Sequence, residues 1–167
     1  MLMSLPPPSN SLWPRPLATF SCVCRRLVSK SARSEEEEAA EFLSGFPKVP
    51  IVIDHTGSPY DQADSGISLW HEGLSALAKL PNIHIKLSGF GMYDSDWSSE
   101  SSLVLFQTIL ELFGAHRIMW GSNFPVDSLM MSYSFCVKQM LNWISPLSPE
   151  EQRLIAAETA IKFYRVT

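Results

Sequence analysis

From residue 46 to the C-terminus the chain alternates between two hydrophobic spacings. Short β-branched runs give way to longer stretches with apolar residues three and four positions apart. Val49 to Asp54 is the first such run, flanked by Pro50 and Gly57, and it reads as a buried parallel strand. Ile83 to Ser88 is the second and Arg117 to Ser122 the third. Between them, Ser68 to Leu80 places Leu69, Trp70, Leu74, Leu77 and Ala78 on one helical face. Ser102 to Gly114 does the same with Leu103, Phe106, Ile109, Leu110 and Phe113. Strand starts at 49, 83 and 117 recur about every 34 residues, the length of one βα unit. Parallel strands require such crossovers, so the spacing predicts a parallel sheet with helices on its face.

Two further helical stretches come after the third strand, Tyr133 to Ile144 and Pro149 to Tyr164. The second opens with Ser148-Pro149-Glu150-Glu151, where serine caps, proline suits the first helical position and Glu151 completes a capping box. Ahead of the first strand, the run from Ser34 to Leu43 reads as a helix start. Ser34 caps it, the glutamates of its solvated first turn complement the helix dipole, and Gly45 ends it.

Residues 1–33 have a different character, and they divide from a body at 34–167. They carry Arg15, Arg25, Arg26, Lys30 and Arg33, no acidic residue, many serines and prolines at 6, 7, 8, 14 and 16. That composition is expected to be a disordered leader or an unrelated N-terminus. It also has the basic, acid-free character of a mitochondrial presequence, although the prolines oppose the amphipathic helix of such peptides.

A net charge of −4 supplies no polyelectrolyte drive toward nucleic acid or an anionic membrane. The apolar runs fall short of the roughly 18 residues of a membrane span. Cys22, Cys24 and Cys136 are too few and too unevenly spaced for a zinc or disulfide framework, and reduced thiols suit a cytoplasmic protein, mitochondrial being the alternative. At 167 residues the chain is also shorter than a complete eight-stranded α/β barrel, which needs roughly 250.

In a parallel α/β sheet the chemistry sits at the carboxyl ends of the strands. The three strands end in Asp54-His55-Thr56-Gly57, in Lys86-Leu87-Ser88-Gly89, and in Trp120-Gly121-Ser122-Asn123-Phe124-Pro125-Val126-Asp127. An imidazole, an ammonium and a carboxamide or carboxylate would therefore converge on one cavity. His55 is read as facing substrate or as stabilising the strand-to-loop turn. Lys86 stabilises an oxyanion, pairs with Asp54 or reaches solvent. Ser88-Gly89 gives tight backbone passage, and Trp120 and Phe124 are core or pocket wall. His71, on a helix, His84, inside a strand, and His116, before one, read as surface or packed histidines.

Four motifs in order, IVIDHTGSP, IKLSGF, IMWGSNFPVD and ETAIKFYRV, resemble the amidohydrolase-related family, in the branch that contains barrel lactonases and related metal-dependent hydrolases. The resemblance covers Phe46 to Thr167. It implies part of a (β/α)8 TIM barrel, the last three parallel strands (six, seven and eight) with their helices, and a hydrolase of lactones or similar cyclic esters or amides. It implies that His55 and Asn123 are the catalytic positions, with Lys86, Ser88, Trp120 and Phe124 around the substrate. Asn123 stands where the family carries an aspartate base, and asparagine cannot accept that proton. Asp127 is a substitute only if its loop folds back toward the pocket. The family's strand-one H-x-H pair has no counterpart in this chain, so no metal or other cofactor is expected here; a divalent metal belongs to a full-length member. The expected partner is a small-molecule substrate, with self-association through exposed sheet edges as a further possibility. The alternative to a hydrolase is a truncated product or fragment without catalysis of its own.

Overall fold

The computed structural model describes residues 18–20, 35–93 and 99–166. Four strands, β1 (Ala18–Phe20), β2 (Ile51–Ile53), β3 (Ile83–Leu87) and β4 (Ile118–Trp120), form one sheet in chain order. Every pairing is parallel, with Ala18 opposite Ile51, Ile51 opposite Ile83, and Ile85 opposite Ile118. The crossovers are α2 (Asp64–Ala78), after β2, and α3 (Ser99–Phe113), after β3. Helix α1 (Glu35–Leu43) precedes β2; α4 (Tyr133–Ile144), α5 (Pro149–Arg153) and α6 (Thr159–Tyr164) come after β4.

Pleating gives the sheet two faces. Ile51, Ile53, Ile83, Ile85, Leu87 and Ile118 point to the crossover helices and bury with Leu74, Leu77, Phe106, Ile109 and Phe113 in the main core. Val52 and Met119 point the other way and meet Phe163 of α6 in a second, smaller cluster. Sequence IHIKL in β3 shows the alternation directly: the isoleucines and Leu87 are buried, whereas His84 and Lys86 on the second face are half-buried.

Two features depart from the sequence expectations. Residues 1–33 read as a disordered leader or an unrelated N-terminus, and the strand Ala18–Phe20, β1 against β2, departs from the first of these. A three-residue strand is too short to show a period, and the backbone edge of β2 pairs with any short extended segment. The cap assigned to Ser34 and the thiols Cys22 and Cys24 lie outside the described residues. The stretch 149–164 is also not one regular helix, because a π-helical turn, Leu154–Glu158, separates α5 from α6. A π turn rotates the downstream residues relative to a regular helix, whose residues are roughly 100° apart. Ile155 thereby enters the main core while Phe163 reaches the second face.

The capping box forms as expected: Ser148 Oγ accepts from the Glu151 amide, and the Glu151 carboxylate accepts from the Ser148 amide at 3.0 Å. Hydrogen bonds from the Ser148 side chain and backbone hold the Glu151 carboxyl below its ordinary value. Ser148→Ala is expected to lower unfolding stability by about 1 kcal/mol, read as a lower urea midpoint with an unchanged slope.

Candidate active site at the strand ends

Beyond β2 the backbone turns through four consecutive residues of positive φ: His55 at 53°, Thr56 at 54°, Gly57 at 71° and Ser58 at 57°. This conformation costs an L-residue roughly 1–2 kcal/mol each, so the surroundings must enforce it. Trp70 Nε1 donates to the Thr56 carbonyl at 2.9 Å. At Gly57, where φ is 71°, a Cβ would also meet Leu74 Cδ2 at 2.9 Å, so any side chain there is both strained and crowded against α2. The turn fixes the His55 ring at the mouth of the sheet, where Nδ1 lies 3.1 Å from Ser88 Oγ beyond β3. That contact leaves Nε2 as the ring nitrogen for a ligand.

Tyr93 ties these two strand ends together. Its hydroxyl reaches the carbonyls of His55 at 2.7 Å and Ser88 at 2.8 Å, sharing one proton between them, and also bonds the Thr56 hydroxyl. Burial pushes the phenol well above its ordinary value, with the charges of Tyr60 and Asp127 acting in the same direction, so it stays a donor. Nothing in the sequence periodicity marks Tyr93; the one signal is an amphipathic aromatic residue after two close glycines at a strand mouth. Tyr93→Phe is expected to cost about 1–2 kcal/mol in chemical denaturation, since two buried carbonyls lose their donor.

Lys86 pairs with Asp54 at 2.6 Å, which is one of the arrangements open from sequence. Burial alone would lower the ammonium's pKa, but hydrogen bonds to Asp54 and Tyr164 and the charge of Asp54 outweigh it and hold it above the ordinary value. The ammonium also sits 5.8 Å from the centre of the Tyr164 ring.

After β4, Asn123 has φ 56° and is succeeded by the cis Phe124–Pro125 bond. The chain then folds back. The Asp127 amide donates to the Asn123 carbonyl at 3.1 Å, and Asn123 Nδ2 donates to Asp127 Oδ1 at 2.8 Å. The loop thus folds back on Asn123, and Asp127 is only 2% exposed. Burial raises its pKa, opposed by the Asn123 amide, by the charge of nearby His55 and by the Gly91 backbone N–H. Asn123 Nδ2 also contacts Met92 Sδ at 3.4 Å, so both side-chain bonds run from the nitrogen and Oδ1 is left to accept.

Three strand ends therefore bring together His55, Ser88, Asn123 and Asp127, with Lys86 and Asp54 paired beside them. Trp120 shares the face of Ile118 and packs on the main core, while Phe124 stands edge-on to Tyr133 at 5.2 Å. His71 is exposed on α2, His84 lies within β3 and His116 is exposed in the turn before β4. Among the described residues no three His, Cys, Asp or Glu side chains are grouped to hold a metal ion. His55 and Asp127 supply too few donors for a zinc site, so the described residues do not by themselves fit a metal. Cys136 is a buried thiol whose pKa burial pushes up to about 11, helped by the charge of Asp127.

The sequence profile of the amidohydrolase family matches residues 31–166. An uncharacterized protein of Sinorhizobium fredii, y4mH, is 35% identical over 130 residues, which is 78% of this chain and 43% of the relative. An L-fucono-1,5-lactonase of Burkholderia multivorans is 32% identical over 126 residues, 68% of this chain and 42% of the relative. The chain thus spans less than half the length of these curated relatives. A crystal structure of an amidohydrolase from Burkholderia multivorans with bound zinc superposes with TM-score 0.69 at 28% identity, covering 78% of this chain and 50% of that one. The parallel βα repeat is therefore a segment of a (β/α)8 barrel.

Proposed function

Because the chain belongs to the amidohydrolase family, we propose that its strand ends carry the acid–base part of a site that hydrolyses a lactone or similar cyclic ester. The observation that carries this reading is the Asp127 carboxyl, buried beside His55 and oriented by the Asn123 amide at 2.8 Å. Lactone opening needs a group that takes a proton from the attacking water and returns it to the ring oxygen. A carboxylate whose basicity burial has raised suits both steps.

In the proposed mechanism, a water bridges Asp127 and Oδ1 of Asn123, which together orient one lone pair toward the carbonyl carbon. Asp127 takes a proton as the new C–O bond forms. Ser88 donates its hydroxyl hydrogen to His55 Nδ1, which keeps the proton on Nε2, and Nε2–H donates to the carbonyl oxygen as it gains negative charge. The ring C–O bond then breaks, and the alkoxide takes the proton from Asp127 to give a hydroxy acid. Lys86, held by Asp54, contributes positive potential at the mouth.

The lactonase among the relatives makes L-fucono-1,5-lactone the first substrate to assay, beside other sugar and dicarboxylate lactones. His55→Ala is expected to lower kcat/KM by about 10–100-fold, chiefly in kcat, as for a donor used in the transition state. An unchanged kcat would remove His55 from the mechanism. A second reading, in which the chain by itself does not turn over, is favoured by its spanning only 42% and 43% of these relatives. It predicts no hydrolysis of any lactone in the panel.

A further inference from the structure

At the opposite ends of the strands from His55 and Asp127, a cleft of about 890 Å3 opens between the strand starts and α6. Its walls carry Lys79 from the end of α2, His84 from β3, His116 and Arg117 from the turn before β4, and Lys162 and Arg165 from α6 and its end. In a chain of net charge −4 this is a concentrated basic lining. The one carboxylate among its described lining residues, Glu158, is engaged by Arg153 at 3.1 Å. The side chains of Lys79, His116 and Lys162 form no hydrogen bond or ion pair among the described residues. Arg117 is clamped in place by helix-end carbonyls, so its charge faces the cleft from a fixed position.

We infer that this cleft binds a small, multiply charged oxyanion, with Lys79, Lys162 and His116 meeting its charges and His84 at the floor. The volume lies in the range of small-molecule sites, and the walls come from rigid element ends. His84 supports the assignment independently. It stacks edge-on against Phe163 at 4.9 Å, and among the described residues its buried Nδ1 has no hydrogen-bond partner of normal geometry. Burial, and then the charges of Arg117, His116 and Lys162, hold its pKa below the ordinary value although the Asn82 backbone opposes them. Positive potential therefore accumulates at this imidazole, and a bound anion would relieve it. Phosphate and carboxylate groups share the required chemistry.

The test is a titration of the whole chain, monitored through the imidazole C–H resonances of His84 and His116, with inorganic pyrophosphate in one arm and tricarballylate in the other. Saturable shifts of both histidines in either arm, weakened at least tenfold by the exposed pair Lys79→Gln/Lys162→Gln and unaffected by Lys138→Gln on α4, are the expected result. The stronger arm identifies the anion class. No saturable shift in either arm overturns the inference. So does equal weakening by Lys138→Gln, which would mark a diffuse charge effect, or a titration that maps to His55 instead.

Discussion

Asp127→Asn is expected to abolish most lactone hydrolysis, by about 10²–10⁴-fold, and to raise the melting temperature at neutral pH. The two effects have one cause. Burial holds the Asp127 carboxyl above its ordinary value, so the folded state retains the proton at a pH where the unfolded chain, near 3.9, has released it. A group raised in this way contributes stability that is complete below the unfolded value and is lost as pH rises through the folded one. Asparagine keeps the shape and can still accept from Asn123, but it has no proton to lose. The stability gain of the variant is therefore expected to be absent below about pH 4, to grow through the folded pKa and to stay level above it. A carboxylate retained for chemistry at a cost in stability has this signature. Thermal melts of both proteins across pH, with parallel rate assays, check it. A variant that is less stable at neutral pH and equally active would make Asp127 a purely structural acceptor.

The second large effect concerns Arg117, which precedes β4 and binds the ends of both crossover helices. Its Nε donates to the Phe113 carbonyl at 3.0 Å, Nη1 to Ala78 at 2.9 Å and Leu80 at 3.2 Å, and Nη2 to Leu112 at 3.2 Å. Carbonyls at helix C-termini lack intrahelical donors and carry the negative end of the dipole, so one planar cation here satisfies α2 and α3 together. Arg117→Met is expected to cost about 3 kcal/mol in urea unfolding, because four half-buried acceptors lose a charged donor. Arg117→Lys recovers only part of that, since an ammonium cannot reproduce the fork. A loss below about 0.5 kcal/mol, the size of an ordinary surface change, would contradict this role.

Periodicity encodes some of this fold and leaves the rest silent. β2, β3 and β4 fall inside the runs at 49–54, 83–88 and 117–122, and α4 has the predicted bounds, because burial on one face writes itself as spacing. The Ser148 box was readable because a cap is a local motif. The π turn at 154–158 was not, since one rotated turn leaves composition unchanged. β1 is too short to carry a pattern.

In the candidate site, the strand-end rule made His55, Ser88 and Asn123 neighbours of one mouth, and the folded chain places them there. The return of Asp127 could be stated only as a condition, because it depends on the conformation of the loop between Asn123 and Asp127. Tyr93 and Arg117 were missed for a shared reason. Each acts on backbone carbonyls distant in sequence, and nothing in a residue's own neighbourhood announces that.

The most direct test of the proposed base is the pH dependence of kcat/KM for lactone hydrolysis by the purified chain, wild type beside Asp127→Asn. The expected result is a rate that climbs with ionisation of a group above the ordinary carboxylate range and disappears in the variant. Absent turnover, or a profile that Asp127→Asn leaves unchanged, would contradict it.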